Sequence, residues 1–195
     1  MRRLVLASTS RYRAQILKRI GLPFEAMAPP YEEVNDPSQD PEDLVLEQAK
    51  GKAQSLVTAV GDALIIGSDQ VAHLDGSILT KPGSFERASE QLTKLQGREH
   101  ELLTALVVID ATSGRTEQHL ERTPIALRPL DPKEIEAYLR RDEPWDCAGS
   151  YKAESWGPAI FASQRGDDPN AVIGLPLIAL FRLLRELGHN PLLSD

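Results

Sequence analysis

Apolar and polar positions switch repeatedly between strand and helix periods along this chain. Leu4 to Ala7 is a short apolar run that reads as a buried strand, and a helical pattern opens behind Ser8-Thr9-Ser10 and runs from about Ser10 to Ile20. Gly21 sits just past its end, and Pro23 bars continuation. Phe24 to Ala28 predicts a second strand, followed by a loop over Pro29–Pro37 that carries the pair Glu32-Glu33. Asp40-Pro41-Glu42-Asp43 is a helix start with an N-cap aspartate, a proline at the first position and acids in the first turn. That helix is predicted to reach about Val60, with Val45, Ala49, Ala53 and Leu56 as its apolar face.

Leu64-Ile65-Ile66 reads as a buried strand that ends in Gly67-Ser68-Asp69-Gln70. The chain stays extended to Leu74 and turns at Asp75-Gly76, a hairpin signal. Ser84 caps a helix to about Leu95, and Gly97 closes it. Leu102 to Ile109 is the longest strand candidate, turned back at 111–114 into a partner over about Glu117 to Leu127. Asp131-Pro132-Lys133-Glu134 begins a helix to about Arg140. Residues 147–157 carry few helix signals. Pro176 opens a last helix with Leu177, Leu180, Phe181, Leu184 and Leu187 as its stripe. Parallel-type strand–helix units mixed with a hairpin predict an α/β protein with a mixed sheet.

Composition narrows the class. At 195 residues, 41% hydrophobic and 26% charged, the chain predicts one globular domain over residues 1–195, in two lobes. No apolar run approaches the ~20 residues of a membrane span, and the apolar stretch after Arg2-Arg3 is too short for a signal-peptide core. The single cysteine, Cys147, fits a reducing, cytoplasmic location. A net charge of −7 argues against a general nucleic-acid binder, but not against a small phosphorylated ligand.

Candidate chemistry lies in a few places. The turn from Ser8 into the first helix offers unpaired N–H groups and the positive end of a helix dipole, beside Arg11 and Arg13, and so predicts an anion site. Asp69 stands where an apolar strand turns polar, at the carboxyl edge where α/β sheets bind ligands. Glu32 and Glu33 form an acidic loop pair that, with Asp69, offers hard oxygen donors suited to a divalent metal. Lys52 falls within the apolar face of its helix, where it must snorkel or meet an anion, whereas Lys50 does not. Lys52, Lys81 and Lys152 lie in glycine, proline or apolar surroundings and suit a polyphosphate. No histidine pair has metal-ligand spacing, and nucleophile-elbow, phosphate-loop and dinucleotide glycine patterns are absent. A base-activated water with metal help is therefore expected, rather than covalent catalysis.

Several segments together carry a resemblance. Leu-Ala-Ser-Thr-Ser-Arg-Tyr-Arg at 6–13, Glu32-Glu33, Lys52, Ile-Gly-Ser-Asp-Gln at 66–70, Lys81-Pro82, Ala-Gly-Ser-Tyr-Lys-Ala-Glu at 148–154 and Val-Ile-Gly-Leu-Pro-Leu at 172–177 occur in the order and spacing of the Maf family. These nucleoside triphosphate pyrophosphatases are related in fold to inosine triphosphatases. The resemblance covers essentially the whole chain and is nearest to the branch acting on 7-methyl-GTP. It implies an α/β fold with a mixed central sheet and two lobes around a cleft, a divalent metal such as Mg²⁺ or Mn²⁺, a cytoplasmic homodimer, and hydrolysis of 7-methyl-GTP to 7-methyl-GMP and pyrophosphate. It places the proton acceptor on Asp69 and the specificity positions on Tyr12, Gln70 and Glu154, with tyrosine at 12 where the branch carries tryptophan. Ser8, Arg13, Lys52, Lys81 and Lys152 are then expected on the triphosphate, and Glu33 and Asp69 on the metal. The rival readings are a dTTP/UTP pyrophosphatase and a non-catalytic nucleotide-binding regulator of septum formation.

Overall fold

The computed structural model describes residues 2–33 and 39–193. Its strands are β1 (Leu4–Ala7), β2 (Glu25–Met27), β3 (Leu64–Leu74), β4 (Ser77–Leu79), β5 (Glu99–Asp110), β6 (Thr116–Leu127) and β7 (Phe161–Gln164). Its helices are α1 (Arg11–Arg19), α2 (Pro41–Gln54), α3 (Val57–Val60), α4 (Phe85–Leu95), α5 (Pro132–Asp142) and α6 (Leu177–Glu186). The strands follow the order β2-β1-β3-β5-β6-β7, with β4 paired to β3. β1 runs parallel to β2 and β3, while β4 on β3 and β7 on β6 are antiparallel, so the expected mixed sheet is present.

The chain divides into two compact units. One comprises Met1–Asp69, Thr104–Glu121 and Asp168–Asp195, the other Gln70–Leu103 and Arg122–Asp167. The first has a core of Leu4, Leu6, Ile16, Leu17, Leu64, Ile66, Leu106, Val108, Leu180 and Leu184, drawn from β1, α1, β3, β5 and α6. Its α6 also buries Ala179 and Leu183, so its apolar face is wider than the predicted stripe. The second unit buries Ala88, Leu92 and Leu95 of α4 and Ile135, Tyr138 and Leu139 of α5, and these two helices pack on each other.

Local chemistry explains most of the element ends. Ser10 caps α1, its side chain accepting from Arg13 N. Asp40 caps α2 by accepting from Glu42 N and Asp43 N, and Asp131 with Glu134 forms the reciprocal capping box of α5. Two expectations need correction, and one strand was not anticipated. The helix predicted to Val60 stops at Gln54 and resumes as α3, because Ser55 Oγ bonds back to Lys52 O at 2.9 Å and the chain tightens there. β3 does not end near Asp69 but continues to Leu74. β7 carries no apolar run, and no pattern in the sequence predicts it. Of the loop over Pro29–Pro37, residues 34–37 lie outside the described residues.

Candidate functional site

Two glycines shape the first unit's site. α2 crosses β3 so closely at Gly67 that a Cβ there would lie 2.2 Å from Ala49 O and 2.9 Å from Ala53 Cβ. Side chains two apart on a strand share a face, so Asp69 is on the face that Gly67 turns to α2. Lys52 lies on α2 between Ala49 and Ala53, and this crossing brings its ammonium onto the carboxylate. Lys52 Nζ donates to Asp69 Oδ1 at 2.5 Å. On α2 itself, Gly51 makes room for a ring: a Cβ there would lie 2.2 Å from Tyr31 Cε2. Tyr31 belongs to the segment that carries Glu33, and Glu33 Oε1 lies 2.6 Å from the same Lys52 Nζ.

Lys52 therefore does not snorkel; its side chain is 8% exposed and bridges two carboxylates, one of them half-exposed. Lys50, one residue before Gly51, is exposed. The parallel register pairs Leu4, Val5 and Leu6 of β1 with Leu64, Ile65 and Ile66 of β3. Asp69 lies past the end of that pairing. It thus stands beyond the carboxyl end of β1 while remaining inside β3, which keeps the ligand-edge argument and corrects only the strand end.

The anion turn is organised around a carbonyl. Ser8, 7% exposed, accepts from Ser10 N at 3.1 Å and from Arg13 Nη1 at 3.4 Å through Oγ. Arg13 Nε donates to Gly174 O at 2.8 Å, and the buried Ser68 Oγ donates to the same carbonyl at 2.9 Å. Burial pushes the Arg13 pKa down, opposed by the charges of Asp69 and Glu33. Ser8, Arg13, Lys52, Glu33 and Asp69 are thus brought into one electrostatic neighbourhood. Tyr12 is half-buried, and Arg11 both donates to its hydroxyl at 2.7 Å and places its guanidinium carbon 4.8 Å from the ring centroid.

The remaining predicted residues belong to the second unit. Gln70 follows Asp69 in β3 and is half-buried, and Lys81 is exposed. Lys152 donates from Nζ to the backbone carbonyl of Asp142, and from its backbone N to Tyr138 Oη at 2.9 Å. Glu154 is exposed, yet desolvation raises its pKa, with Asp142 and Asp146 adding repulsion and Lys152 opposing it. Sequence reasoning passed over Gly51, Gly67 and Asp142; the glycines inside Lys-Gly-Lys and Ile-Gly-Ser were the available signal for the first two.

A metal would fit the first unit's carboxylates. Glu33 and Asp69 already share one cation, the Lys52 ammonium, and both offer hard oxygen donors. Among the described residues no set of three or more His, Cys, Asp or Glu converges. An ion there would therefore complete its shell with water and ligand oxygens, as Mg²⁺ does.

Comparison with known proteins decides the family. The family model described as Maf-like protein matches residues 3–187. The chain belongs to this Maf-like family. It is 47% identical over 190 residues to the 7-methyl-GTP pyrophosphatase of Bordetella pertussis, covering 97% of this chain and 94% of that protein. It is 44% identical over 190 residues to the 7-methyl-GTP pyrophosphatase of Xanthomonas campestris pv. campestris, covering 97% and 98%. Among solved structures, the Staphylococcus aureus Ham1 protein superposes with a TM-score of 0.53 at 15% identity, over 95% of this chain and 99% of that one, which supports the fold. No described helix of this Maf-like chain is long and apolar enough to cross a membrane.

Proposed function

We propose that this protein is a nucleoside triphosphate pyrophosphatase that hydrolyses 7-methyl-GTP to 7-methyl-GMP and pyrophosphate. The observation that carries this reading is the shared name of relatives 44–47% identical over nearly the full chain. Asp69 is the general base: it takes a proton from water, the water oxygen attacks the α-phosphorus, and the bond to the β-phosphate's bridging oxygen breaks. Lys52 fixes the orientation of Asp69 through the 2.5 Å bond. Ser8, Arg13, Lys52, Lys81 and Lys152 supply the cationic and hydrogen-bonding groups for the triphosphate. Such a reaction rests on positioning and charge neutralisation. Glu33 and Asp69 would hold Mg²⁺ or Mn²⁺, which when bound supplies further neutralisation of phosphate charge.

Base choice falls to Tyr12, Gln70 and Glu154. Guanine presents N1–H and the 2-amino group on one edge, and the Glu154 carboxylate accepts from both. Gln70 offers a donor or an acceptor elsewhere on the base. Methylation at N7 makes the base cationic, which favours an aromatic face such as Tyr12. Glu154 disfavours the dTTP/UTP alternative, because a carboxylate repels a pyrimidine's carbonyl oxygens. We read the protein as a cytoplasmic homodimer: its single cysteine suits a reducing compartment, and the family resemblance carries the dimer.

A pyrophosphate-release assay over 7-methyl-GTP, GTP, ITP, dTTP and UTP, with and without Mg²⁺ or Mn²⁺, tests the reading. Metal-stimulated release that is fastest on 7-methyl-GTP is expected. Preference for dTTP and UTP would overturn the substrate assignment, and binding without release would leave a regulator.

A further inference from the structure

The turn that carries Lys152 and Glu154 is anchored by one carboxylate that the mechanism does not use. Asp142 is the last residue of α5 and is 6% exposed. Its Oδ1 accepts from Ser155 Oγ at 2.7 Å and its Oδ2 accepts from Trp156 N at 3.1 Å. Its backbone carbonyl accepts from Lys152 Nζ, and Tyr138, one turn earlier on α5, accepts from Lys152 N. Ser155 N and Gly157 N close the turn on Lys152 O at 3.3 and 2.9 Å. The residues on both sides of Glu154 are therefore tied to α5, and Glu154 itself is exposed between them.

Its own helix explains a carboxylate at this place only in part, through the Tyr138 hydroxyl one turn earlier. The C-terminal end of a helix disfavours negative charge, and α5 already has Arg140 and Arg141 in its last turn. Burying an acid there is worthwhile only for the groups it accepts from, and beside the Tyr138 hydroxyl of its own helix those groups are the hydroxyl and amide that follow Glu154.

We propose that Asp142 is a positioning residue for base recognition: by holding Ser155 and Trp156 it fixes the 152–156 turn so that Glu154 presents its carboxylate in one orientation. This rests on the reading of Glu154 as the group that accepts from the guanine edge. Asp142 touches no substrate; it acts through the turn.

The test compares GTP with ITP, which differ only in the 2-amino group. In wild-type enzyme GTP is expected to have the higher kcat/KM. Asp142→Asn keeps the side-chain size but sets an amide donor against Trp156 N–H or Ser155 O–H. The GTP/ITP ratio is then expected to fall by about fivefold, the worth of one hydrogen bond, through a higher KM for GTP with kcat little changed. A merely structural loss would lower the active fraction and reduce kcat on both nucleotides alike, leaving the ratio where it was. Ser155→Ala removes one bond from the turn side of the anchor and decides the case if Asp142→Asn does not fold; the same fall in ratio is expected. An unchanged ratio in the folded variants overturns the role of Asp142 while leaving Glu154 in place. A wild-type enzyme that does not distinguish GTP from ITP overturns the reading of Glu154, and the role of Asp142 with it.

Discussion

Lys52 Nζ lies 2.5 Å from Asp69 Oδ1, and the same ammonium lies 2.6 Å from Glu33 Oε1. A buried cation between two acids keeps the proposed general base oriented and keeps two like charges together. It also separates two roles of Asp69, as a partner for Lys52 and as a base.

Asp69→Asn tests the second role. The amide oxygen still accepts from Lys52, and Glu33 still neutralises the ammonium, so folding and nucleotide binding are expected to survive. Pyrophosphate release is expected to fall by about 10²–10⁴-fold, the usual contribution of a general base. Full activity in a folded Asp69→Asn protein would remove Asp69 from the chemistry.

Lys52→Met tests the first. It leaves Glu33 and Asp69 facing each other without the ammonium between them, and breaking such a pair costs about 3 kcal/mol when one partner is half-exposed. For a chain of this size that lowers Tm by about 6–12 °C. Mg²⁺ is expected to restore part of the loss, because it replaces the ammonium between the same carboxylates. A melting curve with and without Mg²⁺ reads this directly; an equal Mg²⁺ effect on wild type and variant would count against a metal at Glu33 and Asp69.

Gly51→Ala has an unusual expected sign. In an ordinary helix interior the change gains about 1 kcal/mol. Here the new Cβ would lie 2.2 Å from Tyr31 Cε2, so the ring must leave α2 and draw Glu33 away from Lys52. Stability is expected to fall rather than rise, and activity to fall with it. Adding Tyr31→Ala removes the clash, and the double variant is expected to be more stable than Gly51→Ala alone in denaturant titrations.

The sequence carried much of this arrangement, but not the contacts that close it. The place of Lys52 among Ala49, Ala53 and Leu56 marked it as a lysine that must snorkel or meet an anion, and the polar break after Ile66 marked Asp69. Their pairing was not legible, since it depends on the distance at which α2 crosses β3, and that distance is set by Gly67 meeting Ala49 O. The Glu33 contact depends on Tyr31 lying over Gly51, a relation between a loop and a helix that no periodicity records. β7 escaped because Phe161–Gln164 alternates between partly buried and exposed positions without an apolar run. Asp142 escaped because its partners follow it by more than ten positions across a segment with no regular pattern.

The second unit predicts an acid-dependent loss of stability. His100 is buried on β5 and its Nε2 lies 2.8 Å from Tyr151 Oη. Burial pushes its pKa down to about 4 from 6.5. The folded protein therefore keeps the ring neutral where the unfolded chain would protonate it. This contribution to stability is complete above pH 6.5 and is lost as pH falls towards 4, amounting to about 3 kcal/mol at the lower end. His100→Leu removes the titrating group, so its urea midpoint is expected to vary less between about pH 7 and pH 4 than that of wild type. Parallel curves for the two proteins would show that another group controls the acid limb.

The ring of Tyr12 already carries a cation. Arg11 places its guanidinium carbon 4.8 Å from the ring centroid and donates to the hydroxyl at 2.7 Å. A methylated base that stacks on this ring must share it with, or displace, the arginine. Cation–π contacts at exposed sites are worth about 0.5–1 kcal/mol, so Arg11→Ala is expected to raise the kcat/KM preference for 7-methyl-GTP over GTP by about two- to fivefold. Tyr12→Trp is expected to move the preference in the same direction, because indole is the stronger cation partner, and Tyr12→Ala in the opposite one. GTP itself, which carries no fixed positive charge on the base, serves as the internal reference, so a general loss of binding cancels from the ratio. If all three variants leave the ratio at its wild-type value, the cationic base is recognised elsewhere than at Tyr12.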